Sequence, residues 1–308
     1  MYLLDGNSSA GNILKDIGSL RTFPHEVERG IFVKSINLSI LEALNTSTQE
    51  AELGLFQFGD DFRSSISSRQ KVKYCLNNGI KVFFRHLSND EDDVEQGLSC
   101  IDNIAKQGGK IIVQLPVDND KIKKRIQGFS GVEDIDNLKG DIDRYGCTQS
   151  AIIGLCNYII NNSNINNVVV VGHKGFVGKG VYEGLQKIFP NIKVFGLDKK
   201  ESTYKEEEYE IISQADLIVS TASEIINLPR ILKSGVSIVD CGLIRGEKGI
   251  KGSVNIDIFS TKCNFITPVP GGLGPLEMVY LVSKVKNITL AKMNDLLIKN
   301  IAFNKEKV

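Results

Sequence analysis

The sequence predicts an α/β fold that consists of two α/β domains. Apolar, β-rich stretches alternate with helical patterns in both halves of the chain, as they do in layered α/β proteins. Residues 168–171 are four consecutive valines, which is typical of a parallel strand buried on both faces. The chain has 308 residues, and a domain takes about 150. The length is compatible with two domains or with one large one, and the alternation in both halves of the chain favours two.

The first half begins with helical spacing over residues 10–50, broken near Pro24. A glycine at position 79 is a plausible end for the next helix, because glycine is common just after helix C-termini. The remaining predicted elements are, in chain order, a strand over 53–58, a helix over 64–78, a strand over 80–84, a helix from the acidic stretch at 89–95 to about 107, and a strand over 110–115.

The second half repeats the alternation. A run that contains five asparagines, residues 161–167, separates its first helix from the valine strand and is predicted to be a polar linker. The predicted elements are a helix over 151–160, a strand over 168–171, a helix to about 189, strands over 193–197, 217–220, 236–240 and 264–266, and a helix between 276 and 297.

Composition excludes several classes of function. The 37 basic residues balance 37 acidic ones, which argues against a bulk attraction to nucleic acid or to an anionic membrane. Trp is absent, which argues against a stacking platform for single-stranded nucleic acid. No apolar run approaches the roughly 18 residues of a membrane span. The six scattered cysteines indicate reduced thiols in a cytoplasmic protein, and the N-terminus does not have the pattern of a signal peptide. Three isolated histidines predict no metal site.

A glycine-rich loop follows the valine strand and opens a helix. Gly172, Gly175 and Gly178 give the spacing G-x-x-G-x-x-G. Gly172 would form the tight turn, Gly178 would allow the helix to pack closely on the strand, and the helix N-terminus would present free N–H groups to a pyrophosphate. The context predicts a Rossmann-like dinucleotide site. The alternative is a turn that needs its glycines only for structural reasons.

The strand after this helix ends at Asp198. An acid at this place can bind both ribose hydroxyls of NAD, and it would repel the 2′-phosphate of NADP. Lys174, Lys199 and Lys200 are nearby in sequence and would attract such a phosphate. A solvated turn over residues 198–201 is an equally good interpretation.

Residues 267–275, T-P-V-P-G-G-L-G-P, contain three prolines and three glycines. Such a loop is rigid, and a ligand can approach its backbone closely. By composition alone it could equally be a connection between a strand and the last helix.

This segment, followed by a final helix, resembles the T-P-V-P-G-G-x-G-P motif of the bifunctional methylenetetrahydrofolate dehydrogenase/methenyltetrahydrofolate cyclohydrolase family. Other segments agree with that family in the same order along nearly the whole chain. They are Leu4-Asp5-Gly6, Phe58-Gly59-Asp60-Asp61, Val113-Gln114-Leu115-Pro116, Asp134-Ile135-Asp136, Cys147-Thr148, Val171-Gly172 through Val177-Gly178, and Ile238-Val239-Asp240-Cys241-Gly242.

The resemblance implies the organisation and activity of a folate enzyme. Residues 1–146 with 277–308 would form a folate-binding catalytic domain, residues 147–276 a Rossmann-like NAD(P)-binding domain, and a cleft would lie between them. The family oxidises 5,10-methylenetetrahydrofolate with a nicotinamide cofactor and hydrolyses the methenyl product to 10-formyltetrahydrofolate. Tetrahydrofolate derivatives are the implied ligands, and the implied assembly is a homodimer.

Three residues would carry the chemistry. Alignment from the glycine–aspartate turn places the family's catalytic lysine at Lys71. Gln114 would bond this lysine and a ligand, and Asp136 would hold the donor-rich edge of the pterin. A buried lysine can move protons if burial or a neighbouring cation lowers its pKa. From the residues alone, Lys71 could be a solvated helix lysine, Gln114 an amide that bonds a loop, and Asp136 part of an acidic turn.

The resemblance assigns the remaining residues to binding. Ser67, Pro270, Gly271 and Gly272 would contact the folate. The cofactor would be bound by Gly172, His173, Lys174, Gly175, Val177, Gly178, Asp198, Ser220, Thr221, Gly242 and Leu243.

Several departures from the family pattern identify a divergent member. Ser67 replaces the tyrosine that the family stacks on the folate, Asn137 replaces a glycine, and Gln149 replaces a proline. The expected cofactor is NADP, by family habit, with NAD the alternative because of Asp198. Two further functions are compatible with the departures: a dehydrogenase of the same fold that acts on another pterin or small substrate, and a non-catalytic nucleotide-binding paralogue.

Overall fold

The computed structural model describes residues 3–4, 51–141, 144–198, 204–226, 228, 232–246, 249–259 and 263–288. The predicted helices over 10–50, the Asp5-Gly6 part of the first motif and the predicted helix beyond 288 lie outside these residues. The described residues fall into two compact units, one within Leu41–Cys147 and Met278–Met293 and the other within Thr148–Glu277. The domain boundaries given above remain a prediction.

The first unit contains a four-stranded sheet. Its elements are β1 (Leu3–Leu4), β2 (Ala51–Phe58), α1 (Phe62–Asn77), β3 (Ile80–Leu87), α2 (Glu91–Lys106), β4 (Lys110–Gln114) and α3 (Asp120–Gln127). The strand order is β1-β3-β2-β4, and β2 runs parallel to both β3 and β4. Because β2 lies between its two parallel neighbours, the carboxyl ends of three strands meet at one edge, where ligands bind in such sheets.

Helix α1 starts and stops where its sequence predicts. The Asp61 side chain accepts a hydrogen bond of 2.9 Å from the Ser64 N–H and so caps the helix N-terminus. Gly79, which follows the cap residue Asn78, has φ +70°, a left-handed conformation that glycine adopts without strain. Both ends of the helix are therefore fixed, which determines which of its residues face the sheet and are buried.

The second unit is built on a five-stranded parallel sheet. Its elements are α4 (Cys147–Asn162), β5 (Asn167–Val171), α5 (Phe176–Ile188), β6 (Lys193–Leu197), α6 (Glu206–Ser213), β7 (Leu217–Ser220), β8 (Ser237–Asp240), β9 (Ile244–Gly246), β10 (Gly249–Lys251), α7 (Ile256–Phe259), β11 (Phe265–Ile266) and α8 (Leu273–Val285). The strand order is β11-β8-β7-β5-β6, with β5 between β6 and β7. Helix α8 runs into the residue range of the first unit.

The predicted α/β class is confirmed by these two sheets, of which the first is parallel except for β1 and the second is wholly parallel, and by their connecting helices. The four valines of β5 are fully buried, as a central parallel strand requires. All these strands run in the same direction, but the order in which the chain adds them reverses at β5, since β6 lies on one side of it and β7 on the other. In open α/β sheets, ligands bind at such a switch point.

Strand β1, helices α3, α6 and α7 and the β9–β10 hairpin were not predicted from the sequence. Helix α3 buries only Ile122 and Ile126, so its apolar face is one residue wide and most of its other residues are charged. No helix in the described part of the chain is long and apolar enough to cross a membrane. All six cysteines are free.

Candidate active site

Three polar side chains meet at the carboxyl edge of the first sheet. The Lys71 ammonium donates a hydrogen bond of 2.9 Å to Gln114 Oε1, and it lies 3.8 Å from Asp136 Oδ2. Only 3% of the lysine side chain is exposed. A buried ammonium beside a carboxylate and an amide oxygen is a group that can hold or pass a proton.

The local sequence explains why Lys71 and Gln114 meet. Lys71 lies on the buried stripe of α1, two helical turns after Ser64. The Ser64 hydroxyl donates a hydrogen bond of 2.8 Å to the carbonyl of Leu115, directly after the last residue of β4. This bond ties the start of α1 to the end of β4. The helix and the strand that carry the two groups are thereby held together.

Asp136 lies in a loop after α3 and remains ionised at neutral pH. Burial tends to raise the pKa of its carboxyl, but the Lys71 charge and the Cys147 N–H, 2.6 Å from Oδ1, together hold that pKa below its usual range. The Lys284 charge acts in the same direction. The site therefore combines a carboxylate, an ammonium group and a neutral amide.

Three residues that had no predicted role in the site support the loop of Asp136. Asn137, at φ +52°, donates to the Arg144 carbonyl at 2.9 Å, and Arg144 Nη2 donates to the Asp134 carbonyl at 2.9 Å. Lys284, from α8, donates to the carbonyls of Ile135 and Tyr145. The position of Asn137 directly after Asp136 was a usable signal, but nothing in the sequence connects Lys284 with this loop.

The substrate residue Ser67 lies one turn before Lys71 on α1 and is half-buried. Pro270, Gly271 and Gly272 lie in the second unit, in a tight turn. Gly271 has φ +106°, and the Gly272 N–H donates to the Pro268 carbonyl at 2.8 Å. A Cβ at Gly272 would lie 2.5 Å from that carbonyl oxygen, so only glycine fits there. The turn keeps a backbone surface free of side chains.

The glycine-rich loop has the geometry of a nucleotide-binding turn. Gly172 has φ +85°, and a Cβ on Gly178 would come within 2.1 Å of the Gly172 carbonyl oxygen. Gly175 caps α5 without a side-chain hydrogen bond, so the first N–H groups of this helix are available to an anion. The Thr221 hydroxyl, after β7, donates to the Val171 carbonyl at 3.0 Å and lies against the same glycines. These residues fit a dinucleotide phosphate.

The basic residues of this loop are partly engaged. The His173 ring packs on Gly196 of β6, and its centroid lies 5.4 Å from that of the Tyr182 ring. Its buried Nδ1 has no hydrogen-bond partner among the described residues. Lys174 forms an ion pair of 3.3 Å with Asp198. Val177 is half-buried on the first turn of α5. Lys199 and Lys200 lie outside the described residues.

The ends of β7 and β8 form a buried polar network. The hydroxyls of Ser220 and Ser253 are 2.6 Å apart, and Ser253 donates to Asp240 Oδ1 at 2.6 Å. The Gly242 N–H also donates to Asp240, at 2.8 Å. Burial raises the pKa of Asp240 although these donors oppose the shift. Of the two other residues predicted to bind the cofactor here, Ser220 is fully buried and bonded to Ser253, and Leu243 is half-exposed.

Comparisons with known proteins agree with this geometry. The family described as "Tetrahydrofolate dehydrogenase/cyclohydrolase, NAD(P)-binding domain" matches residues 146–293. A bifunctional protein FolD of Caldanaerobacter subterraneus is 28% identical over 269 residues, which cover 81% of this chain and 92% of that protein.

Two solved structures share the fold. The bifunctional FolD dehydrogenase/cyclohydrolase of Campylobacter jejuni superposes with a TM-score of 0.68 at 24% identity and covers 89% of this chain and 98% of its own. The Trypanosoma brucei FolD, complexed with NADP cofactor and inhibitor, has a TM-score of 0.68 at 20% identity, with coverage of 87% and 96%. These likenesses confirm the predicted two-domain α/β fold class.

Proposed function

Because the chain belongs to the methylenetetrahydrofolate dehydrogenase/cyclohydrolase family, we propose that it oxidises 5,10-methylenetetrahydrofolate with NAD(P) and hydrolyses the methenyl product to 10-formyltetrahydrofolate. The observation that carries this proposal is the buried contact of Lys71 with Gln114 and Asp136. A solvated helix lysine would not be 3% exposed and bonded to a strand-end amide. The first unit would then bind the folate and the second the cofactor.

The dehydrogenase step needs a bound nicotinamide, which accepts a hydride from the one-carbon bridge. In this step the chain's own residues bind and orient. Asp136 would accept hydrogen bonds from the amino-pyrimidine edge of the pterin, for which an ionised carboxylate is suited. The free N–H groups of α5 and the backbone at Gly172 would hold the pyrophosphate. Pro270, Gly271 and Gly272 would border both ligands with backbone atoms.

The cyclohydrolase step adds water to the methenyl carbon and breaks its bond to N5 of the folate. Two protons leave the attacking water, of which one goes to N5 and the other to solvent. The Lys71 amine is the group proposed to take a proton from the water and to deliver one to N5. Gln114 holds Lys71 Nζ in place through Oε1, and Asp136 balances the charge of its ammonium form.

The second candidate function is a dehydrogenase of the same fold that acts on another pterin or small substrate. Ser67 favours it, because a serine cannot supply the stacking surface that the family's tyrosine gives. Measured affinity for tetrahydrofolate separates the two candidates: detectable binding supports the folate enzyme, and its absence supports the alternative.

The decisive experiment is a paired assay of the purified protein. With 5,10-methylenetetrahydrofolate, we expect formation of the reduced cofactor, and with the methenyl compound we expect formation of 10-formyltetrahydrofolate. Both assays should be run with NADP and with NAD. A protein that turns over neither substrate with either cofactor would contradict the proposal and leave the non-catalytic paralogue.

The preferred cofactor is proposed to be NADP, and Asp198 is the residue that limits this preference. Its carboxylate lies 3.3 Å from Lys174, so it neutralises a cation that would attract the 2′-phosphate. Asp198→Ser should lower the KM for NADP about tenfold relative to NAD, because a repulsion is removed and Lys174 is released. Steady-state kinetics with both cofactors measures the ratio. Lys179→Met serves as the control, because it removes the charge of another exposed lysine, which lies on α5 and does not pair with Asp198.

The chain is further proposed to form a homodimer, by family resemblance. It is proposed to be cytoplasmic because its six cysteines are free. Light scattering of the purified protein tests the dimer.

A further inference from the structure

Lys284 lies in the last turn of α8 and joins two separate passes of the chain. Its ammonium donates a hydrogen bond of 3.1 Å to the carbonyl of Ile135 and a second bond to the carbonyl of Tyr145. The first carbonyl directly precedes Asp136. The second comes two residues before Cys147. One side chain thus binds the backbone on both sides of the Asp136 contact.

The two passes determine where the Asp136 carboxylate points. The Cys147 N–H donates to Asp136 Oδ1 at 2.6 Å, and a Cβ on Gly146 would lie 2.4 Å from the Asp136 carbonyl oxygen. The passes are therefore in van der Waals contact at this point. If they separate, Asp136 loses its N–H donor and moves relative to Lys71, from which its Oδ2 is already 3.8 Å distant.

The helix end that carries Lys284 is itself anchored. Lys110, the first residue of β4, donates a hydrogen bond of 2.6 Å to the Lys284 carbonyl and bonds Asn287 Oδ1. β4 ends at Gln114, which accepts the Lys71 hydrogen bond. Lys284 therefore connects the Asp136 loop to the same strand that holds the other partner of Lys71.

We propose that Lys284 is a positioning residue of the folate site, which holds the Asp136 carboxylate toward Lys71 by fixing the two passes around it. This inference rests on the proposed folate function. Lys284 also adds a positive charge near Asp136, and the lowered pKa of that carboxyl agrees with this placement. Because Lys284 would act on binding through Asp136, its loss should affect the KM for folate rather than the rate of proton transfer at Lys71.

The test compares Lys284→Met, Lys284→Arg and Lys110→Met in the full chain. With 5,10-methylenetetrahydrofolate, Lys284→Met should raise KM about tenfold and change kcat less than twofold, which corresponds to about 1.4 kcal/mol of binding. Lys284→Arg should restore most of the affinity, since a guanidinium can donate to both carbonyls. Lys110→Met removes a bond to the backbone of the same helix end but leaves both Lys284 contacts with the loop in place, so it should raise KM less than Lys284→Met does.

Amide hydrogen exchange in residues 134–147, without ligand, tests the inference independently of activity. Faster exchange in Lys284→Met than in wild type or Lys110→Met supports it. Unchanged exchange and KM would overturn it, and so would an equal rise in KM in Lys110→Met, which would indicate only a weakened helix. If the Met variant does not fold, Lys284→Gln, which keeps one donor, should give an intermediate KM. A wild-type chain without folate turnover contradicts the proposed function, whereas hydrogen exchange still reports on the Lys284 contacts.

Discussion

Replacing Lys71 by methionine is expected to lower the cyclohydrolase rate by about 10²–10⁴-fold, the usual contribution of a positioned proton-transfer group. Methionine nearly matches the length of the lysine stem at this 3% exposed position, but it cannot carry a proton. The rate of 10-formyltetrahydrofolate formation from the methenyl compound measures the effect. The dehydrogenase rate should fall less, because hydride transfer depends mainly on how the two ligands are held.

Two further variants separate proton transfer from damage to α1. Lys73→Met removes an exposed lysine two residues further along the same helix and should leave both rates within a factor of about two. Lys71→Arg keeps the charge beside Asp136 but does not release its proton near neutral pH, so it should remain defective in the cyclohydrolase assay. A Lys71→Met enzyme with the full cyclohydrolase rate would rule out the proposed role of Lys71.

Sequence patterns predicted the sheets best where one strand carries its own signal. The valines of β5 and the glycine at the end of α1 are local features, and both are found where local physics places them. Helix α3 was missed although Asn119 caps it, accepting from the N–H groups of Lys121 and Ile122. Its two buried isoleucines are too few to give a visible period among the charged residues around them.

In the candidate site, too, sequence motifs identify some residues, whereas other contacts are visible only in the folded structure. Lys71, Gln114 and Asp136 follow recognisable motifs, so the sequence could nominate them, while their mutual distances required the fold. The contact of Lys284 with the carbonyls of Ile135 and Tyr145 has no sequence signal, because backbone acceptors are the same at every residue. Likewise, the pairing of Lys174 with Asp198 is visible only in the folded structure. Burial and hydrogen-bond partners, rather than residue type, distinguish Lys71, the lysine proposed to transfer a proton, from a lysine on a solvated helix surface.

The second large effect is expected at Asp136, where asparagine keeps the shape of the side chain and removes its charge. The amide oxygen can still accept the Cys147 N–H, so the loop should keep its course. However, Lys71 would lose the carboxylate partner of its buried ammonium, and removing one member of a buried pair costs about 3 kcal/mol or more. We therefore expect a lower melting temperature as well as weaker folate binding.

Folate affinity should fall about tenfold to a hundredfold in Asp136→Asn, since a charge-assisted hydrogen bond to the pterin contributes about 1.5–3 kcal/mol. Calorimetric titration with tetrahydrofolate measures it, and differential scanning calorimetry measures the loss of stability. Asp141→Asn is the matched control, because Asp141 pairs with Lys139 and Arg144 in the same loop. If both variants bind folate as wild type does, Asp136 only supports the fold. If Asp136→Asn alone loses affinity while remaining folded, the carboxylate faces the substrate, and the contact with Lys71 then links folate binding to proton transfer.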